Sequence, residues 1–315
     1  MRLMNIVCIG EALIDFKDRG RLAFQGYVGG SPLNAAVSAS RLGGAVGFAS
    51  RVSTDLFGTA IVEHLRDNGV DTTLVERSDD PSTLAFVSER GGENHFSFLD
   101  SGAADTHYDP KPRPRLPDTV RFVQFGSISL LHEPTASSVS DTAALHLGRA
   151  TTVFDPNIRP ALIPDREAYL ERLGGWLALA TLVKVSDQDL RWLAPDTDPL
   201  TTARDWLARG PEAVVVTRGR EGAVLLRLGR LPIEVAAPAV EVADTVGAGD
   251  IFTGALMVAL AEASSPLEEL SGAAWLVALR LAATAATLSC TREGADPPSR
   301  EEVDSYLRSE PDRGG

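Results

Sequence analysis

The chain has 315 residues, 44% of them hydrophobic and 23% charged, which are the proportions of a globular protein with a sizeable core and exclude a disordered or fibrous chain. A formal net charge of −13 at pH 7 sets up a field that repels phosphate backbones and anionic membrane surfaces, so nucleic acid and membrane are excluded as partners. Two cysteines, Cys8 and Cys290, show no CxxC spacing, which excludes a thiolate zinc site.

In chain order, NIVCIG (5–10) reads as a first strand. The opening residues lack the long apolar core and small-residue cleavage site of a secretory signal, so the expected compartment is the cytoplasm. EALIDFKDRGRLAFQGYV (11–28) reads as two short strands about a KDRGR turn. PLNAAVSASRLG (32–43) reads as a helix, entered through Gly29, Gly30 and Ser31, with Pro32 near its first position, where a missing N–H costs little. Asn34 follows one turn in, with an amide suited to hydroxyl groups. TLAFVSERGGENHFSFLD (83–100) reads as a second hairpin bent at Gly91-Gly92, and the Pro-rich 109–118 as a surface connection. Strands at 120–126, 151–155, 181–186 and 212–218 then alternate with helices at 134–149 and 165–180. AAWLVALRLAATAATLSC (273–290) carries Arg280 at its centre and is expected as a buried helix, not a membrane span.

This rhythm predicts an α/β fold of three layers, α/β/α, with a mostly parallel central sheet and ligands at the carboxyl ends of its strands. The chain is expected as one domain over 1–315. The hairpins at about 11–28 and 83–100 have no helix to cover them, so they predict a small β-sheet inserted in the body, a lid over a site or a dimer surface; ordinary edge hairpins are the alternative.

DTVGAGDIFTGAL (244–256) carries the strongest chemical signal. Apolar residues at Ile251, Phe252, Ala255, Leu256, Ala259 and Leu260 make a helical stripe, which puts Gly247, Ala248 and Gly249 at a helix N-terminus. Unpaired amides and the helix dipole favour an anion there. Asp250 in the first turn reads either as a capping acid or as a reacting one. A second glycine-rich helix start, at Gly29 and Gly30, favours a site for two polar substrates. Lys184 lies inside the apolar run LVKV, where an ammonium needs a phosphate or a buried carboxylate as partner.

GGSPLNAAVSASRLGG and DTVGAGDIFTGAL resemble the two signatures of the ribokinase, or PfkB, family of sugar kinases. FGSISLLHEP, DPNIRP, VKVSDQDLRWL, VVVTRGREGAVL and SCTREGADPPSREEV follow the family's order and spacing, and several of these segments are most similar to its bacterial fructokinase branch. The resemblance implies a ribokinase-like fold with a small β-sheet lid, and transfer of the γ-phosphate of ATP to a primary hydroxyl of a sugar, fructose first. 2-Keto-3-deoxygluconate, ribose or another ketose is the alternative acceptor, and a non-catalytic sugar-binding regulator is the alternative class. It implies Asp250 as catalytic base and the amides of Gly247, Ala248 and Gly249 as anion hole. Asp15, Gly29, Gly30, Asn34 and Arg159 are implied on the sugar side, and Lys184, Ser186, Thr217, Gly219 and Gly222 on the nucleotide side. Asp187 and Asp189 match acids that order Mg²⁺ through water, and Asp244 and Thr245 match residues that bind a monovalent cation such as K⁺. A homodimer through the lid aromatics Phe24, Tyr27, Phe96 and Phe98 is expected. Five positions depart from the pattern: Ser31 where the ribokinase branch has lysine, Ser186 where asparagine is common, Leu99 and Asp100 where fructokinases often carry tyrosine and arginine, and Ala283 where asparagine is frequent.

Overall fold

The computed structural model describes residues 4–90, 93–263 and 265–309. In chain order its elements are β1 (Ile6–Ile9), β2 (Leu13–Asp18), β3 (Phe24–Gly29), α1 (Ser31–Arg41), β4 (Val46–Ser53), α2 (Leu56–Asp67), β5 (Asp71–Ser78), β6 (Thr83–Arg90), β7 (Glu93–Leu99), β8 (Phe122–Gly126), α3 (Thr135–His146), β9 (Thr151–Asp155), α4 (Arg166–Ala178), β10 (Leu182–Ser186), α5 (Asp187–Leu193), α6 (Pro199–Trp206), β11 (Ala213–Thr217), β12 (Ala223–Arg227), β13 (Ile233–Val235), α7 (Ala248–Ala263), α8 (Gly272–Ser289) and α9 (Arg300–Ser309).

Among the described residues nine strands form the main sheet, in the order β13-β12-β11-β10-β9-β8-β1-β4-β5. Pairing is parallel from β5 through β11; only the β11–β12 and β12–β13 pairs are antiparallel, so β12 alone runs against the other strands. Both faces are covered because the strands are apolar on both. In β11, Ala213 and Val215 enter a core shared with α1, α2, α7, α8 and α9, whereas Val214 and Val216 enter one shared with α3, α4, α5 and α6. Side chains alternate across a strand, so one VVV run serves two cores. Each fully buried valine contributes roughly 1.5–3 kcal/mol. The three-layer α/β/α expectation is therefore met.

β4 and β5 were not anticipated. Ser50, Arg51 and Ser53 interrupt the apolar pattern of VGFASRVS, yet Ser50 and Ser53 are buried within the fold. The apolar α8 is long enough to cross a membrane by length and composition, but Trp275, Leu279 and Ala282 lie in the core with residues of α7, while Arg280 faces outward.

β3-β2-β6-β7 form a separate four-stranded sheet in which the two hairpins are joined by parallel pairing of β2 with β6. Gly91 and Gly92, the expected bend of the second hairpin, lie outside the described residues. Residues paired across strands share a face. Leu13, Asp15, Lys17, Tyr27, Ala85 and Phe98 therefore look one way, and Ile14, Phe16, Phe24, Val28, Leu84, Phe86 and Leu99 the other. Leu13, Ala85 and Phe98 pack with Ile128, Leu131 and Leu162 of the body.

In the main sheet the chain runs from β1 outward through β4 to β5, then returns to β8 on the other side of β1. Such a switch in direction opens a crevice beyond the carboxyl ends of the strands. Glu11, Ser127, Asn157, Asp187 and Gly219 all lie one or two residues beyond strand ends there.

Candidate active site

Asp250 is buried in the first turn of α7. Three neutral donors hold its carboxylate: Ser31 Oγ at 2.7 Å and Asn157 Nδ2 at 3.1 Å on Oδ1, and Asn34 Nδ2 at 2.9 Å on Oδ2. Two of them come from the start of α1, entered as expected with Gly30 as its N-cap and proline in the first turn. The two glycine-rich helix starts thus meet at one carboxylate.

Gly249 leaves room for a cation. A Cβ at that position would stand 2.8 Å from Lys184 Nζ, so the ammonium lies directly behind the amides of the α7 N-terminus. Lys184 donates to Asp155 Oδ2 at 3.0 Å, and Thr253 Oγ1 donates to the same oxygen at 3.1 Å. Of the two partners left open for Lys184, the structure supplies the buried carboxylate. Burial works against the lysine's charge, but Asp155, Asp250 and Asp189 outweigh it and raise its pKa. Burial pushes Asp155 up to about 6 despite Lys184. Asp155 Oδ1 is buried with no hydrogen-bond partner.

On the small sheet, Asp15 lies against Gly29, where a Cβ would come within 2.2 Å of its Oδ2. Burial pushes the Asp15 carboxyl up to about 6, with Arg159 pulling down and Asp250 and Glu11 pushing up. Arg159 donates to Asn157 Oδ1 at 2.6 Å. Asp15, Gly29, Gly30, Asn34, Arg159 and Asp250 are therefore brought together.

The remaining expected residues have partners of their own. Ser186 caps α5 in a reciprocal capping box with Asp189, whose other oxygen accepts from Ile158 N at 3.1 Å. Asp187 pairs with Arg191 one turn on, at 2.5 Å. The acids expected to order Mg²⁺ thus cap and brace α5. Thr217 Oγ1 reaches Val185 O at 3.4 Å, and Gly219 and Gly222 bound the turn between β11 and β12. Asp244 accepts from Lys17 Nζ at 2.9 Å, and Thr245 is exposed. At the departure from the fructokinase pattern, Asp100 Oδ2 lies 3.2 Å from His132 Nε2.

Three site residues escaped the sequence. Asn157 bridges Arg159 and Asp250 from a backbone φ of +37°. Asp155 carries Lys184. Glu11 is buried, its two oxygens accepting from Ser31 N at 3.1 Å and Ser129 N at 3.2 Å, with its pKa raised by burial. The available signal was their place, on or just beyond the carboxyl end of an apolar strand.

The model of the pfkB family of carbohydrate kinases matches residues 4–302. The chain belongs to this family. It is 34% identical over 259 residues to a fructokinase from Rhizobium leguminosarum bv. trifolii, covering 81% of this chain and 79% of the relative. Among solved structures it is similar to a fructokinase from Xylella fastidiosa with bound ATP, with a TM-score of 0.88 and 28% identity over 98% of this chain and 99% of the other. It is also similar to a double mutant of a fructokinase from Vibrio cholerae bound to fructose, ADP and a potassium ion, with a TM-score of 0.85 and 26% identity over 97% and 99% of the two chains. The family is one of ribokinase-like phosphotransferases that act on a sugar hydroxyl.

Proposed function

We propose that the chain transfers the γ-phosphoryl group of ATP to a primary hydroxyl of fructose, with the small sheet as lid over the sugar. The observation that carries this reading is the buried Asp250 carboxylate at the N-terminus of α7, with Lys184 2.8 Å from where a Gly249 side chain would begin and Asp15 and Arg159 close enough to feel one another's charge. As the sugar oxygen bonds to phosphorus and the bond to ADP breaks, Asp250 takes the hydroxyl proton. The amides of Gly247 and Gly249, backed by Lys184, face the charge on the equatorial oxygens, whereas the Ala248 N–H expected beside them donates to Thr245 O at 3.3 Å. Phosphoryl transfer is mainly positioning and charge stabilisation, so these groups suffice without a nucleophilic side chain.

Asp15, Gly29, Gly30, Asn34 and Arg159 form the sugar side in this reading. Ser186, Thr217, Gly219 and Gly222 form the nucleotide side, at the ends of β10 and β11. The residues present suit Mg²⁺ brought in with the nucleotide. Asp155 offers one unpartnered oxygen, Asp187 lies at the mouth of the same strand ends, and no cluster of three or more metal-type side chains exists among the described residues, so phosphates and water supply the other ligands. When bound, Mg²⁺ neutralises phosphate charge. The enzyme works in the cytoplasm, where ATP is at hand, and as a dimer through the lid.

A panel of sugars with Mg-ATP in a coupled ADP-release assay tests the reading. Fructose is expected to give the highest kcat/KM. Turnover of ribose, 2-keto-3-deoxygluconate or aminoimidazole riboside without turnover of fructose would overturn the substrate; sugar binding without any ADP release would overturn the activity.

A further inference from the structure

The loop that leads into the α7 N-terminus is held by a lysine from the small sheet. Asp244 stands three residues before Gly247 and its side chain is only 8% exposed. Its Oδ2 accepts from Lys17 Nζ at 2.9 Å and from Gly294 N at 3.1 Å, and its Oδ1 accepts from Val246 N at 3.1 Å. Both oxygens are thus engaged, one of them by a full positive charge. Burial would push this carboxyl up, but Lys17 and the two amides outweigh burial and hold it below the usual range. The residues expected to ligate a monovalent cation therefore do not fit one. A potassium ion on Asp244 would abut an ammonium that already neutralises the carboxylate, and Thr245 is exposed.

We infer that Lys17 supplies from within the chain the positive charge beside the anion-hole loop, and that the enzyme needs no monovalent cation. Its place on the fold gives this charge a second property. Lys17 is two residues from Asp15 on the same face of β2, so the sheet that covers the sugar also carries the cation. The same sheet is fastened to the segment after α8, whose Gly294 N also holds Asp244, by Arg19 and Tyr27, which bond Glu293 Oε2 at 2.6 and 3.2 Å, and by the Tyr27 ring against Gly294, where a Cβ would meet it at 3.2 Å. Seating of the small sheet and ordering of residues 244–247 are one event.

The inference rests on the kinase reading for its turnover arm only. Turnover of fructose with Mg-ATP is measured at constant ionic strength in KCl, NaCl and tetramethylammonium chloride, for the full chain and for Lys17→Met, with thermal unfolding followed in the same salts. The full chain is expected to turn over within about twofold in all three salts and to show no melting shift specific to K⁺. Lys17→Met is expected to lose on the order of tenfold or more in tetramethylammonium, to recover most of that in KCl, and to gain a K⁺-dependent rise in melting temperature. Several-fold activation of the full chain by KCl, or a Lys17→Met chain indifferent to K⁺ by both readouts, overturns the inference. If Lys17→Met does not fold, the salt series on the full chain decides alone. If no sugar is phosphorylated in any salt, the kinase reading has failed and the melting comparison still decides the role of Lys17.

Discussion

The three neutral donors on Asp250 orient its carboxylate without placing a cation in direct hydrogen-bond contact, so it can still accept a proton. Asp250→Asn keeps the shape and removes the base. It should lower kcat by about 10²–10⁴-fold while calorimetry still detects fructose; unchanged kcat would move the base elsewhere. Gly29→Ala tests the sugar side. With 2.2 Å between the new Cβ and Asp15 Oδ2, the carboxylate must swing away, and KM for fructose should rise on the order of tenfold with kcat reduced less. An unchanged KM would remove Asp15 from sugar binding. Asp250 and the glycines around it were legible because a helix N-terminus with small residues is a local pattern. Asn157 and Glu11 were not, because their partners at Asp250, Ser31 and Ser129 are distant in sequence. Asp189 carries both readings: its acid is where a metal-ordering residue was expected, yet it is engaged as the cap of α5 and the brace of Ile158.

Among the elements, the joint between the small sheet and the body buries a carboxyl that holds its proton. Asp105, in the helical turn Ala104–His107, accepts from Thr83 Oγ1 at 2.5 Å at the start of β6. Burial pushes its pKa up to about 7. The folded chain therefore keeps a proton that the unfolded chain loses near pH 4. Its stabilising effect is complete below that pH and is lost as pH rises through about 7. Asp105→Asn cannot lose it, so the variant's melting temperature should pull ahead of the parent's between pH 5 and pH 8, by on the order of 5 °C. Parallel melting curves across that range would rule the effect out. Sequence pattern located the hairpins on either side of this joint but not the acid inside it, because a buried carboxylate has no periodicity of its own.

For the whole molecule, the aromatic residues expected at a dimer face divide between the two sides of the small sheet. Tyr27 and Phe98 face the body, bonded to Glu293 and packed with Leu13 respectively, so they are removed from that expectation; the Phe96 side chain lies outside the described residues. Phe24 packs edge-on against Phe86, itself stacked on Phe16, and Phe24, Leu99 on the same face and Leu22 in the adjoining turn are exposed apolar side chains. Light scattering should give the mass of two chains, and Phe24→Glu should give one; a single-chain mass for the parent removes the dimer. The parallel character of the main sheet was legible because strands buried on both faces are continuous apolar runs, whereas the strand order was not and β4 was hidden by its serines. The small sheet has one more consequence. Its hairpins are stitched together only where Leu13 pairs with Thr83 and the residues beyond them continue the ladder, a contact between chain segments separated by β3, α1, β4, α2 and β5. Closing so long a segment is entropically slow, and no local pairing can substitute for it. Neither hairpin alone can therefore form the proposed cover over the sugar, and a variant that loosens the β2–β6 ladder is expected to weaken fructose binding more than nucleotide binding, as calorimetry with each ligand would show.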